Sequence, residues 1–140
     1  MNIQIIRATQ TWQQAGAYYV RIQAMAKQYD ITLRREFDEH DTPNTEYIVL
    51  TDDDFPVATC RFYELDSSSA MIGRVVVLPE YRGKGANALI FDDLIRWFQR
   101  YHFDWAVTGP QMESNEGVLS QWQYLEAREV RRHRCYRKKI

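Results

Sequence analysis

The stretch Gly73-Arg74-Val75-Val76-Val77-Leu78-Pro79-Glu80-Tyr81-Arg82-Gly83-Lys84-Gly85-Ala86-Asn87-Ala88-Leu89 decides the reading of this chain. Residues 71–78 form a strand whose centre, Val75, Val76 and Val77, is apolar on both faces, the pattern of a strand inside a sheet. Pro79 stops the strand because it has no N–H for a ladder. Gly83 and Gly85 then open a helix running to about residue 101, with Ile90, Leu94, Trp97, Phe98 and Tyr101 on one face. The first N–H groups of such a helix have no intrahelical partner, and its dipole favours an anion there. Gly83 and Gly85 let the backbone approach a phosphate, and Arg82 and Lys84 add positive charge, so the turn suits a pyrophosphate. It is neither a Gly-Lys-Ser/Thr phosphate loop nor a Gly-x-Gly-x-x-Gly dinucleotide turn.

Working outward, Ile3–Arg7 reads as a first strand, and Thr9 or Thr11 as the cap of a helix over 9–29. Trp12, Ala15, Tyr19, Ile22, Met25 and Ala26 are the expected buried stripe of that helix. Residues 34–43 are polar and turn-rich, a loop with room for one helical turn. Strands at 47–51 and 57–65 flank Asp52-Asp53-Asp54 and Pro56, a hairpin signal, and Ser67-Ser68-Ser69 marks the next turn. Beyond the central stretch come a strand at 105–107, an amphipathic helix at 115–125 and a last strand at 130–136. The order predicts an α/β (α+β) domain, a mixed and mostly antiparallel sheet flanked by helices.

The chain has 140 residues, 45% hydrophobic and 26% charged, which fits one domain over 1–140 able to bury its own core. A formal net charge of -1 gives no bulk attraction to nucleic acid or membrane. The two cysteines, Cys60 and Cys135, read as reduced thiols. No signal peptide and no apolar run of the ~18 residues a membrane helix needs is visible, so cytoplasm is the expected compartment. Acids dominate from Glu36 to Asp66, and bases from Arg128 onward. The pair reads either as two solvated faces or as an acidic rim for a cationic substrate with a basic tail near a phosphate-bearing ligand. His40, His102 and His133 are far apart in sequence and neither cysteine has a ligand-type spacing, so no metal site is expected.

Val-x-Val-x-Pro-Glu-Tyr-Arg-Gly-Lys-Gly, at residues 75–85 and followed by an amphipathic helix, resembles the acyl-CoA loop of the GNAT N-acetyltransferases. Glu36-Phe37-Asp38-Glu39-His40-Asp41, after a helix carrying Arg21, resembles one bacterial subgroup of that superfamily. The resemblance implies acetyl-CoA as cosubstrate, with central strands that splay to admit its pantetheine. Backbone groups of Val75, Val76 and Val77 would hold the pantetheine. Arg82, Gly83, Lys84, Gly85, Ala86 and Asn87 would hold the pyrophosphate, and Asn115 would add a contact from the last helix. A primary amine, on a small molecule or a protein, would attack the thioester directly.

The sequence departs from the family pattern at two places. Asn87 stands where the motif ends in Gly or Ala, a position that needs only its backbone N–H. On the last helix Trp122 occupies the slot of a tyrosine that often protonates the leaving thiolate, and Glu126-Ala127 replace Gly-Phe. Tyr124, two residues on, is the remaining candidate acid, though on another helix face. The amine needs a base more than the thiolate needs an acid, since a lysine-like amine has a pKa of about 10.4 and a thiol about 8.5. Candidates are Glu36, Glu39 and His40 in the acidic loop, and Glu80 beside the cofactor turn. Arg74, a charge in a central strand, calls for an acidic partner such as Glu39 or Asp41 and would organise the acceptor site. A second reading is a CoA-binding or sensing module with weak catalysis, motivated by Trp122 and Glu126. A third sets the basic tail against nucleic acid. The apolar surface of Trp97, Phe98, Tyr101 and Phe103 leaves room for a homodimer.

Overall fold

A computed structural model describes residues 1–108, which form a compact unit by themselves. The helix expected at 115–125, the strand at 130–136 and the candidates Asn115, Trp122, Tyr124 and Glu126 lie outside the described residues. The elements run β1 (Ile3–Arg7), α1 (Thr11–Arg21), a π-helical turn (Ile22–Ala26), α2 (Leu33–Glu36), β2 (Glu46–Asp52), β3 (Phe55–Glu64), β4 (Ser69–Val77), a 3₁₀ turn (Pro79–Tyr81), α3 (Ala86–Arg100) and β5 (Trp105–Thr108). The sheet is mixed and five-stranded, in the order β1-β2-β3-β4-β5. The first four strands pair antiparallel, and β5 joins β4 in parallel, from Ser69↔Trp105 to Ile72↔Thr108.

The β2–β3 hairpin closes on Asp53 and Asp54, both left-handed at φ 49 and 67, the two-residue turn whose twist matches the strands. Because side chains alternate along a strand, the register sorts the sheet into two faces. Phe62 packs on Phe98 and Trp97 of α3, so Ile48, Leu50 and Ala58, of the same parity, close that apolar face. Ile90, Leu94 and Phe98 of α3 are buried on it, as the helical spacing predicts. Trp97 is half-buried and stacks on Tyr101, which is exposed, while Phe98 also meets Phe103. Full burial of each such side chain contributes about 1.5–3 kcal/mol.

The opposite face, under α1, differs from expectation. The buried residues of α1 are Ala17, Val20 and Arg21, followed by Ala24 in the π turn, whereas Trp12, Ala15 and Tyr19 lie at the surface. Small residues let the helix approach β2 and β3 closely, and the larger side chains are left to the outside. Tyr19 instead packs edge-on against Phe55 of the hairpin. The helix start also differs: Gln10 is the cap, and Gln13 reaches back to accept from the Gln10 and Thr9 N–H groups. With Gln10 as cap, the residue three places on is Gln13, whose side-chain oxygen closes the capping box, whereas a cap at Thr9 would put Trp12 there. In the π turn the Lys27 N–H donates to the Ile22 carbonyl, and Ala26 is buried as expected.

Candidate active site

Three arginines stand out on the α1 face. Arg21 is fully buried, and Arg61, flanked by Cys60 and Phe62 in β3, is nearly so. Arg21 donates from Nε to Glu36 Oε1 (3.0 Å), from Nη1 to Asp41 Oδ1 (2.6 Å) and from Nη2 to the Glu36 carbonyl (2.6 Å). Its guanidinium also lies over the Phe37 ring at 4.3 Å. Arg61 donates to Asp38 Oδ1 (2.8 Å) and lies 3.1 Å from Asp41 Oδ2. Arg74, at the far side, donates to the Glu36 carbonyl from Nε (3.2 Å) and Nη2 (3.1 Å) and to Asp38 Oδ2 (3.3 Å). Tyr47 closes the group by donating to Asp41 Oδ1 at 2.5 Å.

The sequence places the partners of Arg74 at Glu39 or Asp41; the structure places them at Glu36 and Asp38. Glu39 is instead 82% exposed, because the turn at 38–41 folds back so that Asp38 and Asp41 point inward and Glu39 outward. Of the acidic segment, Glu36, Asp38 and Asp41 are paired with arginines inside the fold, while Glu39, Asp53 and Asp54 stay exposed. Glu36 is thereby removed from the candidate bases. Burial alone would push Asp41 up, but the bonds from Arg21, from Tyr47 and from the Asp38 N–H outweigh it and hold the carboxyl well below the usual range. Asp38 moves the same way, burial being overcome by Arg61, the His40 N–H and Arg74. Burial and the Asp41 carboxylate both push the Tyr47 phenol up.

Arg74 has a second peculiarity, a left-handed φ of 51 in mid-strand. Thr59 pairs with Val76 and Arg61 with Gly73, so Cys60 faces both Arg74 and Val75: a β-bulge. In an unbroken strand Arg74 would alternate with Gly73 and point to the apolar α3 face. The bulge keeps it on the charged face at a backbone cost of about 1–2 kcal/mol for a non-glycine residue. After the bulge the strand resumes, and Leu78 donates to the Val57 carbonyl of β3. Alternation therefore turns the N–H and C=O groups of Val77 and Val75 to the other edge, toward β5. On that edge the described β5 pairs no further than Ile72↔Thr108.

At the end of β4 the loop takes shape as the sequence predicts. Gly83 and Gly85 adopt φ 75 and 84, and a Cβ at either would meet nothing within 4 Å, so backbone conformation alone requires glycine there. Gly85 is the N-cap of α3 and no side chain caps the helix. Arg82 folds back onto the fold, from Nε to the Val77 carbonyl (3.2 Å) and from Nη2 to Gln28 Oε1 (3.0 Å), which ties the loop to β4 and to the segment after α1. Tyr81 donates to Asp52 Oδ2 (2.7 Å), and that bond, with the Asn2 N–H, lowers the Asp52 pKa. The Lys84 ammonium lies 5.5 Å from the centre of the Tyr81 ring. The loop is thus braced from both sides beside an unfilled helix start, which fits a pyrophosphate. Ala86 is buried beneath it, and Asn87 lies in the first helical turn.

His40 stacks flat on Tyr63 at 4.1 Å, with Nε2 3.7 Å from Glu39 Oε1. Its carbonyl accepts from the Thr45 hydroxyl and its N–H donates to Asp38 Oδ1, so the turn that buries Asp38 also places the imidazole. Tyr63 is three strand positions from Cys60, which sets His40 and Glu39 on the order of 10 Å along β3 from the bulge. Glu80, in the 3₁₀ turn, is exposed at the surface. Sequence reading missed Arg61 and Tyr47. The available signal was Arg61 itself, a charge inside the apolar run 57–62.

The model of the acetyltransferase (GNAT) family matches residues 7–117. Among solved structures, a candidate N-acetyltransferase from Lactobacillus plantarum superposes with a TM-score of 0.76 at 24% identity, over 86% of this chain and 84% of that one. The aminoglycoside N-acetyltransferase AAC(6')-Iy in complex with CoA gives 0.71 at 17% identity, over 99% and 96%. A ribosomal-protein-alanine N-acetyltransferase from Brucella melitensis biovar Abortus 2308 gives 0.68 at 15%, over 99% and 100%. No curated protein sequence matches the chain at a significant level. With a family match over most of its length and a mixed sheet that superposes on these folds, the chain belongs to the acetyltransferase (GNAT) family.

Proposed function

We propose that this acyltransferase, a single domain over 1–140 working in the cytoplasm, moves an acetyl group from acetyl-CoA to a primary amine by direct attack. The observation that carries the reading is the pairing of a bulged β4 with a glycine loop that feeds the uncapped start of α3. Bound acetyl-CoA supplies an acyl group activated as a thioester. Backbone N–H groups of Gly83 to Asn87, with Lys84, would hold the pyrophosphate. The outward backbone edge of Val75 and the Val77 N–H would hold the pantetheine, with Val76 buried behind them.

The Val75 N–H, turned outward by the bulge, is the donor for the thioester oxygen, where negative charge develops as the amine attacks. Arg82 serves the loop as a brace rather than as a phosphate ligand, since its guanidinium is committed to Val77 and Gln28. The proton of the attacking amine would pass along water to His40 and Glu39, the exposed pair nearest the bulge on the charged side. With Glu36, Asp38 and Asp41 paired to arginines within the fold, any attraction for a cationic acceptor falls to exposed acids such as Glu39, Asp53 and Asp54.

A thermal melt with acetyl-CoA, CoA or ATP tests the reading. A ligand at about a hundred times its Kd adds roughly 2.7 kcal/mol, several degrees for a domain of this size. A shift with acetyl-CoA and CoA but not ATP is expected. No shift at millimolar acetyl-CoA overturns the reading. A shift without thiol release from any amine in an acceptor screen would favour the CoA-sensing module instead.

A further inference from the structure

The bulge at Arg74 carries a consequence for the chemistry of β4. A left-handed arginine in a strand is held in place by something outside the strand, and here the holder is visible. The guanidinium grips the Glu36 carbonyl with two nitrogens and Asp38 with one. Both acceptors are themselves fixed. The Glu36 carbonyl also takes Arg21 Nη2 at 2.6 Å, and Asp38 takes both Arg61 terminal nitrogens, at 2.8 and 3.3 Å. Arg21 sits at the end of α1 and Arg61 in β3, so the acidic turn is bolted to helix and sheet before Arg74 reaches it.

We propose that Arg74 is a positioning residue: its side chain locks the β4 bulge to the acidic turn and so aims the Val75 N–H outward at the thioester. This rests on the acetyl-CoA reading for its catalytic half, while its structural half stands on the unliganded protein. The guanidinium itself is taken up by the Glu36 carbonyl and Asp38. It acts by fixing which edge the next amide faces, and the cluster under α1 is the anchor for that action. The charged face thereby sets the reactivity of the acyl group rather than the affinity for the nucleotide end.

Two variants separate the lock from mere folding. Arg74→Ala removes the side chain and leaves a residue that disfavours the left-handed φ, so the bulge should relax. Arg74→Gly removes the side chain but accepts that φ freely, so the bulge should survive in part. In unliganded protein, the ¹⁵N–¹H resonance of Val75 should move in Arg74→Ala and return toward its wild-type position in Arg74→Gly. An unmoved Val75 resonance in Arg74→Ala overturns the inference whatever acetyl-CoA does, and so does a full return to the wild-type spectrum in Arg74→Gly, which keeps the φ but lacks the side chain.

The catalytic half is read with acetyl-CoA labelled ¹³C at the carbonyl. Bound to wild type, its infrared carbonyl band should fall relative to free acetyl-CoA. Bound to Arg74→Ala, the band should lie close to the free value, with a Kd for CoA within about threefold of wild type (a change well under the tenfold that 1.4 kcal/mol represents). Equal band shifts in both proteins overturn the positioning role. A failure of wild type to bind acetyl-CoA instead removes the acetyl-CoA reading and with it the catalytic half, while the Val75 resonance still decides the lock.

Discussion

Under α3 the sheet is closed mainly by hydrocarbon, with Phe98 against Phe62, Ile90 and Leu94 buried beside them, and the Arg7 guanidinium lying over the Phe62 and Trp97 rings at the edge. Under α1 the same sheet is closed by a small apolar cluster around Ala17, Val20, Tyr47 and Val49 and, beside it, by arginine and carboxylate, with Arg21 and Arg61 nearly as deeply buried as Leu94 opposite. Apolar packing is non-directional, and a core of that kind tolerates exchange of shapes at constant volume. A network of charge-assisted hydrogen bonds is directional, and each member fixes the orientation of its partners. The face that must aim a backbone amide is the one built from directional contacts; the face that need only hold a helix is built from non-directional ones.

The largest expected effect breaks the charged side of this comparison. Arg21→Met removes one cation and leaves Glu36 and Asp41 short of a partner inside the fold, which should cost about 3–5 kcal/mol. Urea unfolding measures it. A cost below about 1 kcal/mol would mean that water enters the cluster and that it is no core at all. On the apolar side, Leu94→Ala should cost about 2–5 kcal/mol, set by how far α3 settles into the space left. The two variants should also differ in kind. The Leu94 variant should bind CoA as wild type does, while the Arg21 variant should lose the outward Val75 amide along with the turn that anchors Arg74.

The apolar face was legible in the sequence because its signal is periodic. Ile90, Leu94 and Phe98 recur at helical spacing, and the strands alternate against them. The loop at 82–87 was legible for a different reason, since two glycines before an amphipathic helix have few other uses. The charged face was not legible. Its helix contacts the sheet through Ala17, Val20 and Ala24, side chains too small to stand out from the exposed Trp12 and Tyr19. Its acids read as a solvated run because sequence shows their number but not the arginines that meet them from β3 and β4. Arg74 was visible as an anomaly, yet its partners depend on which way the 38–41 turn faces. That is set by tertiary bonds to Arg21 and Arg61, not by local pattern.

The smallest effect is a change of slope, and it sharpens the claim that charge holds the α1 face together. On folding, Asp41 and Asp38 are both held below the ordinary carboxylate range, their burial being overcome by arginine and amide donors. An unfolded aspartate titrates near about 3.9. A carboxyl depressed in this direction contributes its stability in full above the unfolded value and loses it as pH falls from there through the folded value. The wild-type melting temperature should therefore be nearly level from about pH 7 to 5 and fall steeply below about pH 4. Asp41→Asn should melt lower at neutral pH and decline less in acid, so that the two curves converge. Asp52, half-buried under Tyr81, and the exposed Asp66 are also lowered, but they act on both curves alike and do not disturb the difference. Curves that stay parallel down to about pH 2.5 would mean that Asp41 binds its proton equally in both states, and the buried arginines would then owe their place to packing rather than to that charge.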